Sequence, residues 1–124
     1  PAEGPADGGN GNWVPNTDVF EDRSRLIIRA EIAGVRRDGL SLMTDGNQLR
    51  ITGCRQDAER ARGCRFLVME IDFGCFESVV DVPAEFDLAH ASATFETGLL
   101  TIEVPRRARS RRAGKVPQPK RTSR

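Results

Sequence analysis

Three cysteines, Cys54, Cys64 and Cys75, and one histidine, His90, are the residues of this 124-residue chain best suited to chemistry. A structural zinc centre needs four sulfur or nitrogen ligands, usually supplied in close C-x-x-C or H-x-x-x-H pairs. The cysteines here lack that spacing and only one histidine accompanies them, so no metal site is expected. A covalent catalyst needs a nucleophile backed by a base. His90 falls at a predicted strand start while Cys75 and Asp81 fall on a strand, and no triad assembles. The phosphate-cradling G-x-x-x-x-G-K-S/T pattern is also absent, so neither a cofactor nor an enzyme activity is expected. The cysteines therefore read as free thiols, which are most often small buried hydrophobes. Cys54 and Cys64 flank a predicted loop, where they could oxidise, and His90 reads as an exposed turn residue.

The elements that position these residues follow from apolar alternation. Period two is the mark of a half-buried strand. Leu26, Ile28, Ala30 and Ile32 fall on one face of a strand, with Ile27, Arg29 and Glu31 on the other. Leu40 and Leu42 begin a second strand, Asp45-Gly46-Asn47 supplies turn residues, and Leu49 and Ile51 continue as the returning arm. Arg55 to Gly63 holds no core-forming residue larger than alanine and predicts a long loop. Phe66, Val68 and Met69 resume an extended run. Phe76, Val80 and Val82 then alternate with Glu77, Val79 and Asp81, and Pro83 ends that strand because it has no amide hydrogen for a ladder. Ala91, Ala93 and Phe95 follow, Thr97-Gly98 turns the chain, and Leu100, Ile102 and Val104 complete the set before Pro105. No segment carries a helical stripe. Short strands at regular intervals, bounded by Gly, Pro and Asp, predict an all-β antiparallel sandwich of immunoglobulin-like type.

Composition fits one domain, with 38% hydrophobic and 30% charged residues. The formal net charge of +1 hides a division. Residues 1–104 carry 10 Arg and 18 acids, net −8, and residues 105–124 carry 9 Lys or Arg and no acid, net +9. Residues 1–12 are rich in Gly and Pro and cannot offset their ordering entropy, so disorder is expected there. Residues 106–124 are expected to form a basic, solvated tail, leaving the domain at 13–105. No run approaches the roughly 18 apolar residues of a membrane span and no secretory signal is visible, so a cytoplasmic setting without a membrane partner is expected.

With these strands in place, the chain resembles the α-crystallin domain of bacterial-type small heat-shock proteins along nearly all of residues 13–105. "WVPNTDVFED" resembles the family's W-x-P-x-x-D start, and "IIRAEIAGVRRDGLSL" its A-E-hydrophobic-P-G-V segment, with Ala33 where proline is common. "NQLRITGCR" is similar to the L-x-I-x-G-x-R arm, "FGCFESVVDVP" to the G-x-F-x-R strand, and "ATFETGLLTIEVP" to the A-x-x-x-n-G-V-L signature. Ser78 stands at the family's F-x-R arginine, Ile71 at a second arginine position, and Thr97 and Leu99 replace the usual Asn and Val.

The resemblance implies an ATP-independent holdase that binds unfolding client proteins and prevents their aggregation. It implies a homodimer built by a strand carried on the long loop, here Phe66, Leu67, Val68, Met69 and Glu70, which crosses to a second copy; larger oligomers can build on that dimer. It also implies a groove for clients or for a C-terminal anchor, with Leu40, Leu42, Leu100 and Ile102 as its candidates, although periodicity alone makes them ordinary core residues. The aliphatic-x-aliphatic anchor is reduced to Val116-Pro117-Gln118. Two other classes compete. A p23-like co-chaperone shares the sandwich but acts through a chaperone ATPase, and the apolar run at 66–70 favours the heat-shock reading. The basic tail offers nine cations to phosphates but no interleaved aromatics, so nucleic acid is not the expected partner.

Overall fold

The structure, a computed structural model, describes residues 13–108. Seven strands form two antiparallel sheets: β1 (Thr17–Glu21), β2 (Arg25–Glu31), β3 (Ser41–Asp45), β4 (Gln48–Arg55), β5 (Gly74–Asp81), β6 (Ser92–Glu96) and β7 (Leu99–Pro105). The sheet orders are β1-β2-β7-β6 and β3-β4-β5. This is the sandwich that alternation predicts, and its inner faces carry the predicted residues: Ile28, Ala30, Ile32, Ile51, Phe76, Leu100, Ile102 and Val104 are all buried. The residues between them point outward, because successive strand side chains alternate faces.

Turn chemistry sets the registers. In the β6–β7 hairpin Glu96 pairs with Leu99, leaving Thr97 and Gly98 at the turn with φ of +55° and +79°. Two positive φ values define a type I′ turn, whose twist matches the flanking strands. Gly98 is needed twice over, since a Cβ on it would also come within 3.1 Å of the Ala33 backbone. Gly46 opens the β3–β4 turn, and β5 stops at Asp81, ahead of Pro83.

Three features differ from expectation. Cys54 and Cys75 are not free thiols: they are joined by a disulfide with a Cα–Cα distance of 3.9 Å, and among the described residues only Cys64 is free. The register explains it, since β4 and β5 place Cys54 directly opposite Cys75. Nor is Cys54 a buried hydrophobe, because it shares the solvent face with Gln48, Arg50 and Thr52. The predicted loop after Arg55 contains one helical turn, α1 (Ala58–Ala61), capped by the Asp57 carboxylate accepting from the Glu59 amide. Ile27, assigned to the outer face of β2, is 7% exposed, lying beside Phe20 of β1.

The ends of the described chain are held by specific contacts. Trp13 is buried, donates its indole N–H to the Gly74 carbonyl at 2.9 Å and bridges to Phe76. Beyond β7, Arg106 donates to the Arg23 carbonyl at 2.9 Å and Arg107 to the Ala84 carbonyl at 3.0 Å. His90 sits in a short 3-10 turn (Leu88–His90), its Nδ1 2.7 Å from Asp87. Residues 1–12 and most of the predicted basic tail lie outside the described residues.

Candidate functional site

Strands β3 and β6 are the outermost strands of their sheets on one side of the sandwich. A cleft of about 360 Å³ opens there, lined by Arg37, Leu40, Leu42, Ala93, Thr94, Phe95, Glu96 and Leu100. It exists because two sheets with different numbers of strands leave inward-facing side chains without a full second layer. Leu42 belongs to β3 yet is 38% exposed, whereas Leu100 lies at the buried floor. Of the four sequence-predicted groove residues, Leu40, Leu42 and Leu100 line the cleft. Ile102 is packed in the core and does not.

Arg37 also lines this cleft. It sits in the 3-10 turn (Arg37–Gly39) ahead of β3, donates to the Phe95 carbonyl at 2.8 Å, and its guanidinium lies 6.0 Å from the Phe95 ring centre. The contact joins the two sheets across their open side. Sequence reasoning missed Arg37 because a charged residue in a turn has no periodicity to betray it. Phe95 was legible as an inward residue, and its pairing with Leu100 puts it in the cleft wall.

The second candidate element is the loop between β4 and β5. Within one chain residues 66–70 form no strand. Leu67, Val68 and Met69 are 82%, 73% and 57% exposed, and Ile71 is exposed beside them. Phe66 is better covered, because the Arg60 guanidinium of α1 lies 5.6 Å from its ring centre. Glu70 is exposed. A contiguous exposed apolar run of this kind is costly in water.

The loop is rooted by Arg55. Its guanidinium donates to the Ala33 carbonyl at 2.7 Å and, through Nε, to the Asp72 carbonyl at 3.0 Å. The same group lies 4.3 Å from the Trp13 ring centre and 5.2 Å from that of Phe73. Within the loop Cys64 lies 3.7 Å from a Glu59 carboxylate oxygen. Desolvation and that carboxylate, with Asp57 behind it, push the Cys64 thiol above its ordinary range. Ser78 faces inward and is buried. Val116, Pro117 and Gln118 lie outside the described residues.

A two-layer sandwich with an apolar cleft between two outer strands and a long loop bearing an exposed apolar run is the arrangement of α-crystallin domains. The Hsp20/alpha crystallin family matches residues 18–120, and the chain belongs to that family. It is 29% identical over 97 residues to small heat shock protein C4 of Rickettsia felis, covering 78% of this chain and 60% of that protein. It is 28% identical over 95 residues to spore protein SP21 of Stigmatella aurantiaca, covering 77% and 56%. The chain thus spans a little over half the length of these curated relatives. The solved hspA of Xanthomonas axonopodis superimposes with a TM-score of 0.71 at 26% identity, covering 77% of this chain and 96% of that one. A small heat-shock protein from Xylella fastidiosa, described as having a distinct high order structure, gives a TM-score of 0.75 at 23% identity, covering 90% and 98%. Among the described residues no helix is long and apolar enough to cross a membrane.

Proposed function

We propose that this protein is an ATP-independent holdase of the cytoplasm, working as a homodimer that takes up unfolding polypeptides. The observation that carries the reading is the uncovered apolar cleft between the outer strands β3 and β6. An unfolding client exposes apolar side chains together with extended backbone. The cleft offers Leu40, Leu42 and Leu100 to the first, and the outer strands offer unpaired amide and carbonyl groups to the second. Capture of this kind needs no nucleotide, since mass action alone holds the client away from copies of itself. The binding work falls on the cleft and the outer strands, and no residue is assigned to catalysis.

Pairing of two copies is supported by the loop. The segment Phe66 to Glu70 has the length and apolar content of a strand but no partner strand among the described residues. Strand β1 is the outermost of its sheet and shows Val19 and Phe20 to solvent. Segment 66–70 of each copy laid along β1 of the other covers both surfaces by one two-fold operation. A C-terminal segment at Val116 to Gln118 can occupy the same cleft as a client, weakly, because glutamine replaces the second aliphatic anchor.

The test is light scattering from a thermally unfolding client without nucleotide, with this protein in several-fold molar excess. Suppression that Leu42→Glu abolishes is expected; no suppression at all overturns the holdase reading.

A further inference from the structure

Cys54 and Cys75 face each other across the β4–β5 ladder and are covalently joined. Their neighbours Gly53 and Phe76 point into the core, so the two sulfurs lie on the opposite, solvent face of the sheet, where Cys54 is exposed. One rung further, at Arg55 opposite Gly74, the ladder ends and residues 56–73 leave the sheet. Exposed disulfides are the more easily reduced, regulatory kind. This one is open on one side and stands at the root of the segment that carries 66–70. In a reducing cytoplasm such a bond is transient, and transient cytoplasmic disulfides serve catalysis or redox sensing.

The third thiol does not interfere. Cys64 lies beside the Glu59 carboxylate at 3.7 Å, which disfavours its thiolate and makes it a poor attacking group.

We infer that Cys54 and Cys75 form a reversible thiol–disulfide modification site whose state sets the order of residues 56–73. The co-reactant is a low-molecular-weight disulfide such as oxidised glutathione. One cysteine, as thiolate, attacks a sulfur of that disulfide, forming a mixed disulfide and expelling one small thiolate. The second cysteine thiolate attacks the protein-bound sulfur, forming the Cys54–Cys75 bond and expelling the other. Two protein thiols are oxidised, one small disulfide is reduced to two thiols, and the two protons pass to the departing thiolates. Excess small thiol runs the steps backwards.

With the bond closed, the last two rungs of β4–β5 cannot part and the segment hangs from fixed ends. With it open, those rungs rest on backbone hydrogen bonds and the Arg55 contacts, and the end of an outer strand frays. A segment with fewer residues left to order pairs with a second copy at lower entropic cost. This consequence for pairing rests on the dimer reading proposed above; the effect on the segment itself does not.

The full-length chain is treated with oxidised glutathione or with dithiothreitol. Peptide mapping without reductant, hydrogen exchange over 56–73 and the dimer dissociation constant are then measured. Expected results are a linked Cys54–Cys75 peptide, exchange in 56–73 slowed by about threefold or more as local opening is suppressed, and a several-fold lower dissociation constant in the oxidised form. Cys64→Ser keeps all three responses; Cys54→Ser with Cys75→Ser loses them, and reduction of the unmodified chain gives the same comparison should that double variant fail to fold. Absence of the linked peptide, or a linked peptide with unchanged exchange in 56–73, overturns the inference. A dimer whose constant ignores the redox state overturns its coupling to pairing. A chain that stays monomeric in both states while exchange slows upholds the modification site and sinks the exchanged-strand reading instead.

Discussion

The guanidinium of Arg55 lies 4.3 Å from the ring centre of Trp13, and the same group donates to carbonyls of Ala33 and Asp72. One side chain thus ties the start of the described chain, the turn after β2 and the end of the loop to the last residue of β4. Arg55→Ala removes a cation–π contact and charge-assisted hydrogen bonds together, and we expect a loss of about 1–3 kcal/mol in stability. Trp13 fluorescence should shift to the red as the indole gains solvent. Arg55→Lys keeps the charge but cannot serve both carbonyls and should recover only part of the loss; full recovery would mean charge alone roots the loop.

Gly53 lies flat beneath the Phe76 ring, where an added Cβ would come within 2.9 Å of two ring carbons and 3.3 Å of Val35. Gly53→Ala should therefore cost about 1–3 kcal/mol by overpacking. Phe76→Leu removes the colliding ring atoms, so the double variant should be more stable than the sum of the two single changes. Urea unfolding of the four proteins in the cycle measures this, and strict additivity would rule out the contact as the cause.

Thr97 carries φ of +55°, a conformation that penalises a β-branched side chain and that asparagine tolerates. Thr97→Asn should stabilise the β6–β7 hairpin by about 0.5–1 kcal/mol, raising Tm by a few degrees. An unchanged or lower Tm in a thermal scan would contradict the strain.

The exposed run at 66–71 gives a test of assembly separate from stability. Val68→Asp with Met69→Asp places charges where the proposed pairing buries side chains, while both positions are exposed within one chain. Sedimentation velocity should show a monomer with an unchanged circular dichroism spectrum. Persistence of the dimer would move the interface elsewhere.

Asp22 accepts hydrogen bonds from the amides of Ser24 at 2.9 Å and Arg25 at 3.1 Å, closing the β1–β2 turn. The Ser24 amide bond is the leading cause holding its carboxyl below the ordinary aspartate range; desolvation, next in size, opposes it, and the Arg25 bonds and the Ser24 hydroxyl add to the lowering. A carboxylate whose pKa is lowered on folding stabilises the fold above its unfolded value and loses that contribution as pH falls through the folded value. Titration followed at the Ser24 and Arg25 amides by NMR should show the turn loosening only at strongly acidic pH. A midpoint at or above the ordinary aspartate value would refute the assignment.

The strands were legible because a half-covered sheet imposes period two on its residues, and Leu26, Ile28, Ala30 and Ile32 obey it without exception. What escaped depends on which strands meet. Cys54 finds Cys75 only once β5 is set against β4 in one register, across a segment whose own residues carry no pairing signal. Ile27 is buried on the outer face because β1 brings Phe20 alongside, a tertiary neighbour that alternation within β2 cannot announce. Arg37 and Arg55 act through carbonyl oxygens, and every residue presents a carbonyl, so nothing in the side-chain pattern marks their targets. The lining leucines of the cleft were legible as apolar positions. That Ile102 lies beneath the cleft and not in it follows from layer depth, which a one-dimensional pattern lacks.

The bond between Cys54 and Cys75 also changes what a protease can accomplish. Arg60, Arg62 and Arg65 offer trypsin-type cleavage sites between the two joined cysteines. A cut there divides the backbone into a piece holding β1 to β4 and a piece holding β5 to β7, yet the oxidised molecule keeps both on one covalent thread, interleaved through both sheets. A nicked chain of this kind migrates whole until a reductant is added, so the same scission is silent in one redox state and divides the molecule in the other.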